Sequence, residues 1–142
     1  MPYVDQADLA QLFGTAELSQ LAPDGSGGVD AARVTKACER ASRVADSYLA
    51  AAGRYVVPIP APGEDLRGAV ADLARTDLYD NREPEAIAKR RDRAVAWLRD
   101  VAAGRAVLFD ADSNTTQAPR GIAVATSEAV FTDDFFRRVG AV

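Results

Sequence analysis

Residues 30–53 read DAARVTKACERASRVADSYLAAAG, the longest early helical pattern in the chain. Apolar side chains recur at Val34, Ala37, Cys38, Ala41, Val44, Ala45, Tyr48 and Leu49. Steps of three and four put them on one stripe of a helix, whereas a half-buried strand would alternate by two. Asp30 suits the N-cap, since its carboxylate can accept from the unpaired amides of the first turn. Gly53 ends the pattern, as glycine tolerates the left-handed closing turn. One greasy stripe cannot stand in water alone, so the fold depends on which other stripes cover it.

Two such stripes follow. Residues 65–79 carry Leu66, Ala69, Val70, Leu73, Ala74 and Leu78. Residues 84–103 carry Ile87, Ala94, Val95, Leu98 and Val101, with Trp97 on the flank. The stretch 80–83 turns the chain between them. Pro84 suits the first helical position, and Gly104 is the C-cap. Glu85 and Lys89 stand four apart and attract by about 0.3 kcal/mol, while Lys89 and Arg93 repel by a similar amount.

Upstream, Asp5 caps a short helix, with Asp8 as an acidic partner for its N-terminal dipole and Leu9, Leu12 and Phe13 on its apolar side. Gly14 stops it. Thr15 is expected to cap a second short helix bearing Leu18 and Leu21. Residues 22–29 are a loop by their Pro, Asp and Gly content. Pro58, Pro60 and Pro62 alternate in residues 54–63, which predicts an extended connector. Tyr55, Val56, Val57 and Ile59 should hold that connector against the bundle.

Beyond Gly104 the helical period is lost. Residues 105–109 and 121–125 are expected as short strands, with a polar, turn-rich stretch between them. A last apolar cluster holds Val130, Phe131, Phe135 and Phe136, too aromatic for a chain that never packs. The expected fold is all-α: a small helical bundle with an extended proline-rich connector and an irregular C-terminal tail. The expected division is a helical body over 1–104 and a docking tail over 105–142.

Composition narrows the function classes. The chain has 142 residues, with 17 Lys+Arg against 21 Asp+Glu and a net charge of −4. That length suits one core without a metal or disulfide staple. A mildly acidic balance argues against non-specific duplex binding by the whole surface. With no histidine, serine–histidine and cysteine–histidine catalysis and histidine metal sites are excluded. One cysteine closes no internal disulfide, which fits a reducing compartment. No run approaches the roughly 18 apolar residues of a membrane span, and no signal-peptide pattern opens the sequence.

Each candidate for chemistry has a plainer explanation. Cys38 lies on the apolar stripe and reads as a small buried hydrophobe. Asp110, Asp112 and Asn114 open like a calcium loop, but Thr115 stands where the loop needs Gly and Gly121 where it needs Glu. The Gly-rich stretch after Asp24 lacks the Gly-Lys-Ser/Thr of a phosphate cradle. Lys89, Arg90, Arg91, Arg93 and Arg99 form the one basic cluster, interleaved with Asp92 and Asp100, as on a solvated helix face. Asp72, Asp77 and Asp80 are expected to serve as ion-pair partners and helix-end charges, with Arg75 and Arg82 close by. No enzyme, cofactor or metal is expected.

The order of these pieces resembles a known family. The carriers are Tyr3-Val4-Asp5 with Asp8-Leu9 and Phe13-Gly14, the loop from Asp24 to Asp30, and Ala45-Asp46-Ser47-Tyr48-Leu49. They continue with Gly53-Arg54-Tyr55-Val56-Val57-Pro58, Leu73-Ala74-Arg75 with Leu78-Tyr79-Asp80, and Trp97-Leu98-Arg99-Asp100-Val101-Ala102-Ala103-Gly104. Over about residues 3–105 this is similar to the Mu-like phage head–tail connector (neck, adaptor) family. The resemblance implies a structural virion protein of a tailed bacteriophage, made in the host cytoplasm and placed in the neck. It implies a ring, commonly twelve-fold, of neighbouring copies under the portal protein. That ring would meet the next neck or tail protein and pass DNA through its channel without sequence-specific binding, with no membrane involved. The residues expected at partner interfaces are Val107, Leu108, Phe109, Phe131, Phe135, Phe136, Arg137 and Arg138, apolar anchors flanked by arginine. Alternatively, the phenylalanines close the chain's own core. A different reading of the whole chain is a small helical DNA-binding regulator using the Lys89–Arg93 cluster.

Overall fold

A computed structural model describes residues 2–51, 53–112 and Thr115. It has five helices in the order α1 (Gln6–Phe13), α2 (Thr15–Leu21), α3 (Ala31–Ala51), α4 (Glu64–Tyr79) and α5 (Glu85–Ala103). The all-α expectation holds, and the described residues contain only isolated β-bridges. The strand expected over 105–109 is instead a single extended segment, because its pairing is limited to Pro62 with Asp110 and Phe109 with Thr115. The second expected strand, 121–125, lies outside the described residues.

Helices α3, α4 and α5 form the bundle. Arg33 near the start of α3 donates to the Leu78 carbonyl at the end of α4, so these two run antiparallel. Arg90 reaches Asp72 across the α4–α5 seam after a short turn, so that pair is antiparallel too. The core is made of fully buried Val34, Cys38, Leu49, Leu66, Val70, Leu98 and Val101. Each large apolar side chain removed from water in this way contributes roughly 1.5–3 kcal/mol before entropy is counted. Val44, assigned to the α3 stripe, sits at its edge and stays 42% exposed.

The ends follow local chemistry. Asp30 accepts from the Ala32 and Arg33 amides at 3.1 and 3.3 Å and caps α3. At α1, Asp5 accepts from the Asp8 amide at 2.9 Å, and Asp8 accepts from the Asp5 amide at 3.0 Å, a reciprocal capping box. Thr15 does not cap α2. The turn is so tight that Gly14, with φ of 93°, is both the last cap of α1 and the first of α2. Pro84 lies one position before α5, where its carbonyl accepts from the Ile87 and Ala88 amides.

Helix α1 packs on α3 and α4 with α2 beside it, and this layer is held by charge as well as packing. Leu9 and Leu18 are buried, while two ion pairs, Arg67–Asp8 and Arg75–Glu17, tie the layer to α4. Arg67 and Arg75 are eight residues apart, which is about 12 Å along the helix. They act as two anchors along one side of α4.

Candidate functional site

The extended segments 54–63 and 104–112 run together at the end of the bundle where α3 and α5 finish. Ile59 and Leu108 turn inward, at 4% and 0% exposure, and plug the core. The Ala111 amide donates to the Ala61 carbonyl at 3.1 Å, beside the Pro62–Asp110 bridge. Gly63 lets the two backbones meet: a Cβ there would come within 2.5 Å of the Phe109 carbonyl oxygen. Gly104, at φ of 81°, ends α5 in the left-handed region and lies directly under the Arg54 guanidinium. The Arg105 and Ala106 amides then bond back to the Asp100 carbonyl at 2.8 and 3.1 Å.

Tyr3 joins this end to the N-terminal layer. Its amide donates to Ser42 Oγ at 2.9 Å, and its hydroxyl donates to Asp46 and accepts from the Ile59 amide at 2.9 Å. Burial and the Asp46 hydrogen bond push the phenol well above its ordinary range, so it stays protonated and works as a tie.

What these segments leave outside is apolar. Val56, Val107 and Phe109 are 68%, 51% and 40% exposed. Val107 and Phe109, expected at a partner interface, are exposed. Leu108 is not: it is a core residue, because successive side chains of an extended segment point to opposite sides and the middle one of three goes in. Phe131, Phe135, Phe136, Arg137 and Arg138 lie outside the described residues.

Toward the C-terminal end of α4 the structure builds a cluster that the pattern of the sequence did not reveal. Arg75 donates to both Glu17 oxygens at 2.8 Å, and Tyr79 Oη donates to Glu17 at 3.0 Å. The Arg75 guanidinium carbon lies 4.2 Å from the centroid of the Phe13 ring. Burial raises the Glu17 pKa, but the hydrogen bonds from Arg75 and Tyr79 outweigh it and hold the carboxyl below its usual range. The available signal was the spacing of Arg67, Arg75 and Tyr79, which places them on one side of α4. Their partners lie 58 to 62 positions away.

The remaining candidates resolve into structural roles. Cys38 is fully buried, and burial pushes its thiol up to about 11, so it is not a thiolate near neutral pH. Asp24 folds its own loop by accepting from the Ser26 amide, the Ser26 hydroxyl and the Gly28 amide. Asp110 accepts from the Asp112 amide at 2.9 Å. Among the described residues no group of three or more His, Cys, Asp or Glu side chains is placed to hold a metal ion.

The expected partners of the α4 carboxylates are different ones. Asp72 pairs with Arg90 and Asp77 with Arg40, each at 3.2 Å, while Arg75 is committed to Glu17. Helical geometry turns Arg75 toward α2, away from Asp77. Three members of the basic cluster are paired, while Arg93 and Arg99 are exposed. Lys89 pairs with Glu85, Arg90 with Asp72, and Arg91 with Glu83 and Asp92. The three pairings reduce the charge this helix has for releasing counterions from DNA.

Three of the exposed apolar side chains, Val56, Val107 and Phe109, are thus gathered at one end of the bundle. The family model described as Bacteriophage Mu, Gp36 matches residues 3–126, most of the chain. The chain belongs to this family. The matched span takes in the five helices, the proline connector and the segment after α5. It places this Gp36-family chain among phage proteins. No curated protein matches the sequence. Among the described residues no helix is long and apolar enough to cross a membrane.

Proposed function

We propose that this Gp36-family chain is a structural virion protein, a head–tail connector without catalytic activity. In this reading it forms a ring beneath the portal protein, carries the DNA channel onward and presents a platform to the next neck or tail protein. The observation that carries the reading is the pair of extended segments at one end of a fully packed bundle. Ile59 and Leu108 fix those segments rigidly, while Val56, Val107 and Phe109 remain uncovered. Rigid presentation of apolar anchors is what a protein interface requires, since little entropy is then lost on docking. A ring follows from repetition of one head-to-tail contact that closes on itself.

The test is recovery of assembled necks. Infection with phage carrying Val107→Asp and Phe109→Asp should yield filled heads that fail to join tails, with the altered chain missing from purified heads. Sedimentation of the purified chain with its portal protein should show co-migration that the same double variant abolishes. A chain absent from purified wild-type particles would end the proposal.

A further inference from the structure

Helix α3 presents a charged face that no short run of its sequence announces. Arg33, Lys36, Arg40 and Arg43 are all exposed. Steps of three and four place them within about 80° of the helix circumference, on the side away from buried Val34, Cys38, Ala41 and Ala45. They extend over about 15 Å of helix.

Little within the chain neutralises this row. Arg33 donates to the Leu78 carbonyl at 3.4 Å, a contact that leaves its charge uncompensated. Lys36 and Arg43 have no ion-pair partner among the described residues. Arg40 meets Asp77 at 3.2 Å, but the two side chains are 64% and 36% exposed, and an exposed pair exchanges readily for another anion. The carboxylates of α3 lie to one flank: Glu39 is half-buried, and Asp46 is engaged by the Tyr3 hydroxyl. Asp30 is turned to the amides of the first turn. In a chain of net charge −4, this face is a local reversal of sign.

Its chemistry selects among anions. Residues 33–43 contain no aromatic side chain, and Val44 is the one large apolar side chain exposed on α3. A protein partner is held by an apolar centre inside a polar rim, and a single-stranded nucleic acid by aromatic platforms for its bases. This face offers neither. A row of cations on a straight rod is enough for a repeating phosphate backbone, since release of counterions supplies the binding. Over 15 Å of axis, one strand of a duplex presents about four phosphates. We infer that this face of α3 binds the phosphate backbone of duplex DNA, weakly and without regard to sequence, through Arg33, Lys36, Arg40 and Arg43. The inference does not rest on the connector proposal, because it concerns a surface of the purified chain whatever that chain assembles with.

Titration of the full chain against a fluorescein-labelled duplex, followed by polarisation, tests it. Two duplexes of unrelated sequence should bind alike. The logarithm of the binding constant should fall against that of the salt concentration with a slope of about −3, a loss of about 60-fold from 50 to 200 mM salt. Lys36→Glu with Arg43→Glu should abolish binding while leaving far-ultraviolet circular dichroism and the melting temperature unchanged, since both side chains are exposed. Arg93→Glu with Arg99→Glu changes the net charge by the same amount on α5 and should leave most of the binding in place. Equal weakening by the two double variants would overturn the inference, because net charge alone would then be responsible. Absence of duplex binding at low salt would overturn it as well. So would tighter binding to poly-glutamate than to the duplex, which would assign the face to an acidic protein.

Discussion

The end of the bundle where α3 and α5 finish exposes different matter from the end where α4 finishes. At the first, Val56, Val107 and Phe109 face outward beside the buried plugs Ile59 and Leu108. At the second, the turn after α4 places Asp80 and Asn81 at φ of 55° and 64°, conformations that Asp and Asn tolerate better than most residues. Glu83 pairs with Arg91 there, and the nearby loop is closed by the Asp24 carboxylate. The polar end settles most of its charges within the chain, although Glu83 Oε2 is buried there without a hydrogen-bond partner. The apolar end holds its backbone just as firmly but leaves three hydrophobic side chains whose burial would gain free energy only against another surface. Stability and availability are thus divided along single short segments, residue by residue.

The largest test of that division is Leu108→Ala. It empties a fully buried site at the apolar end and should cost about 3 kcal/mol by urea unfolding, within the usual range for leucine truncation in a core. If the segment after α5 were only an appended docking strip, the loss would be near zero, and the comparison between the two ends would fail.

A middle-sized effect belongs to the cluster that ties α2 to α4. Glu17→Gln leaves Arg75, 15% exposed, with weakened partners and should cost about 2 kcal/mol, the scale of charged hydrogen bonds. The pH dependence has a definite sign. The Glu17 carboxyl is held below its unfolded value, so its contribution is complete above the ordinary carboxylate range. It is lost as pH falls through the folded value. Asp8 behaves alike: burial raises its pKa, but its bonds to Arg67 and the Asp5 amide outweigh that. Asp72 has the opposite sign, with raised folded affinity for its proton, so it favours the folded state less as pH rises. Acid titration of unfolding should show a shallower loss in Glu17→Gln than in the wild type.

The contrast also explains what the sequence made readable. Helix periodicity and caps depend on neighbours a few positions away, so the α3 stripe, the Asp30 cap and the Gly104 terminus were legible. Partners across the fold were not. Glu17 with Arg75, and Tyr3 with Ile59, are separated by 58 and 56 positions, and only packing brings them together. Leu108 was the instructive miss. An extended segment alternates its sides, so Val107, Leu108 and Phe109 could never all have faced one partner. The cap assigned to Thr15 failed for a different reason: Gly14 accommodates a turn too short to need a side-chain acceptor.

The smallest effect is also the most discriminating one. Val107→Ser with Phe109→Ser changes two exposed side chains that flank a buried one. The isolated chain should keep its stability to within about 0.5 kcal/mol, as expected for surface positions. Melting followed by circular dichroism, compared with Leu108→Ala, measures this directly. A loss as large as that of Leu108→Ala would mean that the outward residues are covered within the chain itself, leaving the apolar end no more available than the polar one. An unchanged melt shows that these side chains do not hold the isolated bundle together. Their hydrophobicity is then free to act in contact with another molecule.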